Sequence, residues 1–351
     1  MVQAYSGCSV QASQAYGDLV SRTTDDAGEQ AELLRAVPRR YYQTGMGRYL
    51  GGFDGFMLPD IIYGREWQNQ PLLRCVAMPP DLCTFFVPSR PADAMRVDVR
   101  QVETGAIAYQ PAGSDFDVHT CSGSGVVYFT VSQQALRQAA MTLDPELWES
   151  RIGEPLILKV ADAGLVRKLV DGAIAAAPYW LAAGMEQSWA HELRQSSLSA
   201  LLGAVGQACD ARHPRNRAQQ GLLHAGQLAR RARDFIEGML PRRVTVLDIC
   251  GELGVSRRTL QDVFQRVLGM SPVSYLRMVR LHRARQDLRR PVLPSVSVGQ
   301  VATRWGFLHP SQFSVDYQRL FGELPSYTLR KAYAGSPGAA YRPAPGAAAR
   351  A

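Results

Sequence analysis

Hydrophobic positions along this chain recur with two different periods, and the change of period divides it. From Arg48 to Val131 the apolar runs are short, rich in β-branched and aromatic residues, and broken by Gly, Pro and Asp turns. Met57–Tyr63, Leu72–Met78, Leu82–Val87, Met95–Val102, Ala106–Tyr109, Phe116–Thr120 and Val126–Val131 each predict a strand. Their close spacing predicts a sandwich or barrel. Residues 1–40 are polar, with one helix expected near Asp26–Ala36. After Val131 the period becomes helical. Gln133–Met141 follows Ser132, a good N-cap. Asp162–Ala177 stops before Pro178. Met185–Cys209 carries Trp189, Leu193, Leu198, Leu201, Leu202 and Val205, a stripe suited to the β domain or to a second copy of the chain. From Ala225 onward the pattern is helical throughout, beginning with Gly226–Met239.

Between Val244 and Lys331 one pattern occurs twice. Up to a central glycine the copies match at an offset of 52, pairing Val246 with Val298, Ile249 with Val301, Cys250 with Ala302 and Gly254 with Gly306. Beyond it they match at 53, pairing Leu260 with Phe313, Phe264 with Tyr317, Gly269 with Gly322 and Pro272 with Pro325. One extra residue therefore sits in the turn of the second copy. In the first copy Thr245 can cap a short helix with Val246, Ile249, Cys250 and Leu253 inward. Gly254 can take the left-handed conformation that ends it. Ser256 then caps a second helix with Leu260, Val263, Phe264 and Val267 inward. Two short helices around a tight Gly turn form a helix-turn-helix. Arg257, Arg258, Gln261, Asp262 and Gln265 face outward, and these side chains can bond guanine, adenine and cytosine edges. In the second copy Leu308 or His309 holds the cap position, and Pro310 fits the first turn. Ser311, Gln312, Ser314 and Val315 face outward there. Ser271 and Pro272 open a connecting helix of about 18 residues, roughly 27 Å long. Its arginines, Arg277, Arg280, Arg283, Arg285, Arg289 and Arg290, are expected on a solvated face, some near phosphate.

Charge sharpens this division. Residues 227–333 hold 18 Lys and Arg against 8 Asp and Glu, a net +10, whereas residues 1–226 carry −4. A basic unit joined to a mildly acidic one points to a polyanion partner for that unit alone. The polar run 213–221 reads as a linker, and the Gly/Pro/Ala-rich tail beyond Lys331 is expected to be disordered. The six cysteines are scattered without a Cys-x-x-Cys pair, so neither a zinc site nor a disulfide framework is expected. No signal-like or membrane-spanning apolar stretch is read, and a cytoplasmic location is expected.

The paired units, the connecting helix, and the residues Ala302–Phe307, Gln312–Ser314, Tyr317–Gly322 and Pro325–Ser326 resemble the DNA-binding domain of AraC/XylS-type bacterial transcriptional regulators. The resemblance covers about residues 225–332. It implies a seven-helix domain with recognition helices at about 256–267 and 309–320, in which Arg258, Gln261, Asp262, Ser311 and Gln312 read bases. Val315 stands where an Arg is frequent in the family, and Thr328 where an aromatic is. Gly45–Leu50, Glu66–Asn69, Phe85–Pro88 and Gly113–Asp117 are similar in order to the sensor half of the ethanolamine-utilisation regulators of the same family.

The expected architecture is α+β. A small β barrel or sandwich with flanking helices occupies 1–212 and serves effector sensing or dimerisation. A linker spans 213–224, an all-α domain of two helix-turn-helix units joined by a long helix spans 225–332, and a tail covers 333–351. The expected function is sequence-specific transcription regulation in response to a small molecule. Expected partners are double-stranded promoter DNA, the effector, a second copy in a homodimer, and RNA polymerase if the chain activates. The DNA-binding candidates are Arg257, Arg258, Gln261, Asp262, Gln265, His309, Ser311, Gln312 and Ser314. Asp115, Asp117 and His119 alternate and so share one strand face, either a ligand site or a solvated face. Trp67 and Tyr109 are either effector contacts or core. An alternative is a bifunctional enzyme, such as an alkyl-transfer DNA repair protein, carrying this DNA-binding module. The sequence lacks the reactive Cys motif and clustered cysteines such an enzyme needs, and lacks a nucleophile elbow, a P-loop and a His-Glu-x-x-His helix. No enzyme activity, cofactor or metal is expected.

Overall fold

A computed structural model of the chain describes residues 17–334, apart from 91–92, 144, 150, 185–186, 207–208, 211–216 and 291–295. The first part is mostly strands. β1 (Asp18–Thr24), the short helix α1 (Ala27–Glu32) and β2 (Arg39–Gln43) lead into β3 (Gly51–Leu58), β4 (Ile61–Gln68), β5 (Leu72–Ala77) and β6 (Leu82–Pro88). β7 (Met95–Val97), β8 (Arg100–Val102), β9 (Ala106–Gln110), β10 (Asp115–Thr120) and β11 (Gly125–Ser132) follow. Then come α2 (Gln133–Leu143), α3 (Pro145–Trp148), β12 (Leu156–Lys159), α4 (Gly164–Ala182), α5 (Gln187–Gly206) and β13 (Cys209–Asp210).

The strands form two antiparallel sheets that do not close on each other. The larger runs β1-β3-β4-β11-β6-β9-β12-β13 and the smaller β2-β5-β10-β7-β8. Of the two expected arrangements, the sandwich is the one that forms. Alternation along each strand decides what lies on each face. Ile62, Phe86, Val126 and Tyr128 of the larger sheet meet Val97, Phe116 and Val118 of the smaller one between the layers. The other face of the larger sheet presents Tyr63, Phe85, Ile107, Phe129 and Val131 to Leu136 of α2, Val166 and Val170 of α4, and Leu198 and Leu201 of α5.

A second, helical part contains α6 (Arg217–Met239), α7 (Val246–Leu253), α8 (Arg257–Leu268), α9 (Pro272–Arg289), α10 (Val298–Arg304), α11 (Pro310–Phe321) and α12 (Pro325–Ala334). It covers the outer face of the smaller sheet, where Tyr42, Leu73 and Val99 enter the same core as Ala229, Phe264 and Tyr275. The molecule is thus four layers deep: helices α2–α5, the larger sheet, the smaller sheet, and α6–α12.

Several boundaries differ from the sequence expectation. β1 is an edge strand paired only with β3, and its mostly exposed side chains leave no apolar signal. α4 continues through Pro178 to Ala182 because Ala177 and Trp180 on either side are held in the core. α5 packs Leu198, Leu201, Leu202 and Val205 onto its own chain's core and leaves Trp189 half exposed. Part of the expected linker, from Arg217 onward, is already the first turns of α6. Most of the expected tail lies outside the described residues. Among the described residues no helix is long and apolar enough to cross a membrane.

Candidate nucleic-acid interface

Each reader unit is built by local capping. Thr245 accepts from the Asp248 amide while the Asp248 carboxylate accepts from the Thr245 amide, a reciprocal box that starts α7. Gly254 ends it at φ 64°, and the Val255 amide reaches back to the Cys250 carbonyl at 3.1 Å. Ser256 caps α8 by accepting from Thr259, and Gly269 closes it at φ 70°. α8 then buries Leu260, Val263, Phe264 and Val267. That stripe leaves Arg257, Arg258, Gln261, Asp262 and Gln265 exposed.

The second unit repeats this with one change. Ser297 and Gln300 make the same reciprocal box, and the Phe307 amide reaches the Ala302 carbonyl at 2.9 Å, matching Val255 and Cys250. The extra residue is therefore Leu308, which stands 66% exposed between this turn and His309. His309 occupies the cap position of α11 without a side-chain bond, and Pro310 supplies the first turn. Phe313, Tyr317 and Phe321 are buried, while Ser311 and Gln312 are exposed. Gln312 donates to Asp316 at 3.0 Å, and the half-buried Ser314 turns its hydroxyl back to the Pro310 carbonyl at 3.0 Å.

Arg277 and the capping Arg290 lie on the solvated face that the sequence suggested, whereas Arg280, Arg283, Arg285 and Arg289 are drawn into the fold. Arg285 is 4% exposed, with Nε 2.6 Å from Asp26 and Nη1 2.7 Å from Glu323. Arg289 pairs with Asp25 and Glu29, Arg290 with Glu32, and Arg283 with Glu237. Arg280 donates to the Val244 carbonyl at 2.6 Å, and Arg277 lies 3.5 Å from Asp316. Helix α1 is thus an acidic strip clamped on the end of α9. Its carboxylates are more than 250 residues away in sequence, so no local pattern could show the pairing. Among the described residues Arg257 and Arg258 of α8 are exposed and have no ion-pair partner, as have Arg266 of the same helix and Arg231, Arg242, Arg243, Arg319 and Arg330 elsewhere in the helical part.

The candidate effector residues are not gathered in one place. Trp67 is 39% exposed on β4, with its indole lying over Gly52. Tyr109 is fully buried on the α2–α5 side of the larger sheet and donates to the Ile152 carbonyl at 2.7 Å. Asp115 is exposed at the start of β10. Asp117 and His119, further along the same face of β10, enter the layer shared with α6, where Asp117 meets Arg233. Burial, with Arg96 and Arg233 nearby, pulls the His119 imidazole down to about 3, so it stays neutral.

A cavity lies elsewhere, between the two sheets. It is walled by Phe86, Phe116, Val118 and Val126, with Arg39, Arg74, Glu66, Tyr41 and Tyr128 at its polar side. Arg39 lies 2.7 Å from Glu66 and Arg74 Nε lies 3.5 Å from it, so two buried guanidinium groups share one carboxylate. Burial works against the charge on Arg39, but the oxygens of Tyr41, Tyr128 and Glu66 override it and raise its pKa. The sequence does carry a signal for Arg74. It alternates in phase with Leu72 and Val76, a charge at an inward position of β5.

Residues 249–331 match the helix-turn-helix domain family. The probable thc operon regulatory protein of Rhodococcus erythropolis is 40% identical over 103 residues, which is 29% of this chain and 31% of that protein. XylDLEGF operon transcriptional activator 2 of Pseudomonas putida is 32% identical over 114 residues, 32% of this chain and 73% of that protein. Among solved structures, a probable AraC family transcriptional regulator from Rhodopseudomonas palustris CGA009 is 33% identical, covering 30% of this chain and 97% of that one at a TM-score of 0.29. The match to the first relative spans about a third of its length. With two capped helix-turn-helix units on one connecting helix, and a relative matched over most of its length, the chain belongs to the AraC/XylS family of transcriptional regulators.

Proposed function

We propose that the chain is a cytoplasmic, sequence-specific DNA-binding regulator whose occupancy of promoters responds to a small molecule held between the two sheets. The observation that carries this reading is the contrast between α8 and α9. Arg280, Arg283, Arg285 and Arg289 of α9 are taken up by carboxylates and carbonyls of the same chain. Arg257 and Arg258 stand exposed and unpaired among the described residues, beside Gln261, Asp262 and Gln265. That set can offer donors to guanine and adenine and an acceptor to cytosine. α11 contributes Ser311 and Gln312, with fewer charges and a more apolar Val315, so the first unit dominates specificity. The cavity supports the effector part, since it combines apolar walls with a few convergent polar groups. The regulator acts as a homodimer, and where it activates it contacts RNA polymerase.

Genome-wide mapping of bound sites, followed by gel shifts on the recovered duplex and a scrambled one at fixed salt, tests the reading. The expected outcome is at least about a thousandfold preference for the mapped site. Equal affinity for both duplexes would leave only non-specific phosphate binding and would defeat it.

A further inference from the structure

Both reader helices end against the sheet half of the molecule, and at matching points. Val267 of α8 and Leu320 of α11 are related by the same offset of 53 as the rest of the second half of the repeat. Each lies two residues before the Gly that closes its helix, so its carbonyl has no partner further along the helix. Arg96 of β7 donates to the Val267 carbonyl. The Gly47 amide, at 3.1 Å, and Gln43 Nε2 of β2, at 2.8 Å, donate to the Leu320 carbonyl. A guanidinium at a helix C-terminus also suits the helix dipole.

The two donors sit on one rigid element. β2 and β7 belong to the smaller sheet with β5 and β10 between them. Three strand intervals separate them by about 14 Å. Tyr42, Leu73, His119 and Arg96 form one cross-strand row. The neighbouring row, one residue along each strand, is Tyr41, Arg74, Val118 and Val97, and its first three members line the cavity. Arg96 lies in the first row and Gln43 two residues beyond Tyr41 on β2, so the reader supports and the cavity wall belong to one sheet.

A second tie between the readers has mechanical meaning. The first unit packs on Tyr275, Leu276 and Val279 of α9, the second on Leu281, Ala284 and Leu288. Two cores threaded on one helix can twist about it, with Leu240 and Leu320 touching both. Fixing the far end of each reader helix to one sheet removes that freedom.

We propose that Arg96, and Gln43 with the turn to Gly47, are positioning residues that set the separation of the two reader helices. The smaller sheet is then the spacer between the readers, and a ligand behind it would be reported as a change of spacing. This rests on the reading of α8 and α11 as DNA readers, and the test separates the two.

Spin-labelled non-natural residues at the exposed positions 261 and 312 of the full chain would report the distance between α8 and α11 without DNA. The wild type should give one narrow distribution. Arg96→Met with Gln43→Leu should broaden or shift it, and Arg96→Lys, which keeps a cationic donor, should largely restore it. Because Gln43 is buried, Arg96→Met alone provides the answer if the double variant does not fold. A distribution unchanged in Arg96→Met overturns the proposal. Binding to the mapped site is then compared with the same site carrying one inserted base pair between its halves. The wild type should prefer the original spacing by at least about tenfold, or about 1.4 kcal/mol, and Arg96→Met should lose most of that preference while keeping the base preferences. Distances that respond in a protein with no preference for any duplex would sustain the spacer and refute the reader assignment.

Discussion

Replacing Arg285 with Met would remove the one cation that Asp26 and Glu323 share across the two halves of the molecule. Its guanidinium is within 2.7 Å of both carboxylates and also donates to Tyr317 at 3.2 Å. It lies 4.7 Å from the centre of the Phe321 ring. Truncation leaves the Glu323 carboxylate without its counter-charge and Asp26 with Arg289 alone, which costs about 3–5 kcal/mol. Asp26→Asn should cost less, about 1–3 kcal/mol, because Asn can still cap α1 and Arg285 keeps Glu323. The pair should show a coupling of about 0.5–3 kcal/mol in a double-mutant cycle. Acid should weaken the clamp. Burial works against ionisation of Asp26, but Arg285 and Arg289 override it and hold its carboxyl below the usual range. A carboxyl whose pKa is depressed by folding stabilises the fold above its unfolded pKa, near 4, and loses that contribution as pH falls through the folded value. The cost of Arg285→Met should therefore be greatest at neutral pH and shrink below about pH 4. Urea unfolding followed by circular dichroism, with midpoints compared at both pH values, measures this. A loss under about 1 kcal/mol at neutral pH would mean that the cluster is solvated and clamps nothing.

Four other substitutions probe separate parts of the molecule. His119, neutral in the fold at about 3 but near 6.5 when unfolded, should cost up to about 1.4 kcal/mol of stability per pH unit as pH falls between those values. His119→Phe should flatten the dependence of the urea midpoint between about pH 6 and pH 4.5, and an unchanged slope would show that His119 does not contribute. Gly269 and Gly322 are equivalent, both at φ 70°, yet a Cβ at Gly269 meets open space while one at Gly322 comes within 2.6 Å of the Arg48 backbone. Gly269→Ala should lose only the left-handed strain, about 1–2 kcal/mol, and Gly322→Ala clearly more. Equal losses in thermal melts would mean that the 47–48 turn is not docked on α11. Arg258→Ala should weaken binding to the mapped duplex by about 1–3 kcal/mol and relax the preference at one base. An equal loss on all duplexes in gel shifts would make Arg258 a phosphate contact.

What the sequence revealed follows the range of the forces involved. Thr245, Ser256, Ser271 and Ser297 cap their helices through amides three residues away, so the whole repeat could be read from local spacing. The stripe Leu260, Val263, Phe264 and Val267 fixed the outward face of α8 by elimination. β1 was silent because an edge strand needs no apolar face, and α4 passed Pro178 because packing outweighed the local rule. The fate of the α9 arginines depended on carboxylates at the opposite end of the chain. The cavity was hidden for a similar reason, since Arg39, Glu66 and Arg74 come from three strands. Tyr109 stood between pocket and core because an aromatic on a strand does not reveal which face is enclosed, and it proves to be core.

The clamp between α1 and α9 also has a history within each molecule's synthesis. Asp26 meets Arg285 across 259 positions of chain. At about 5–20 residues per second, the carboxylates of α1 wait roughly 13–50 s for the arginines that neutralise them. Through residue 226 the emerging chain carries a net charge of −4, and the net positive charge arrives only with the helical part. The acids of α1 are thus already in place when the arginines of α9 emerge.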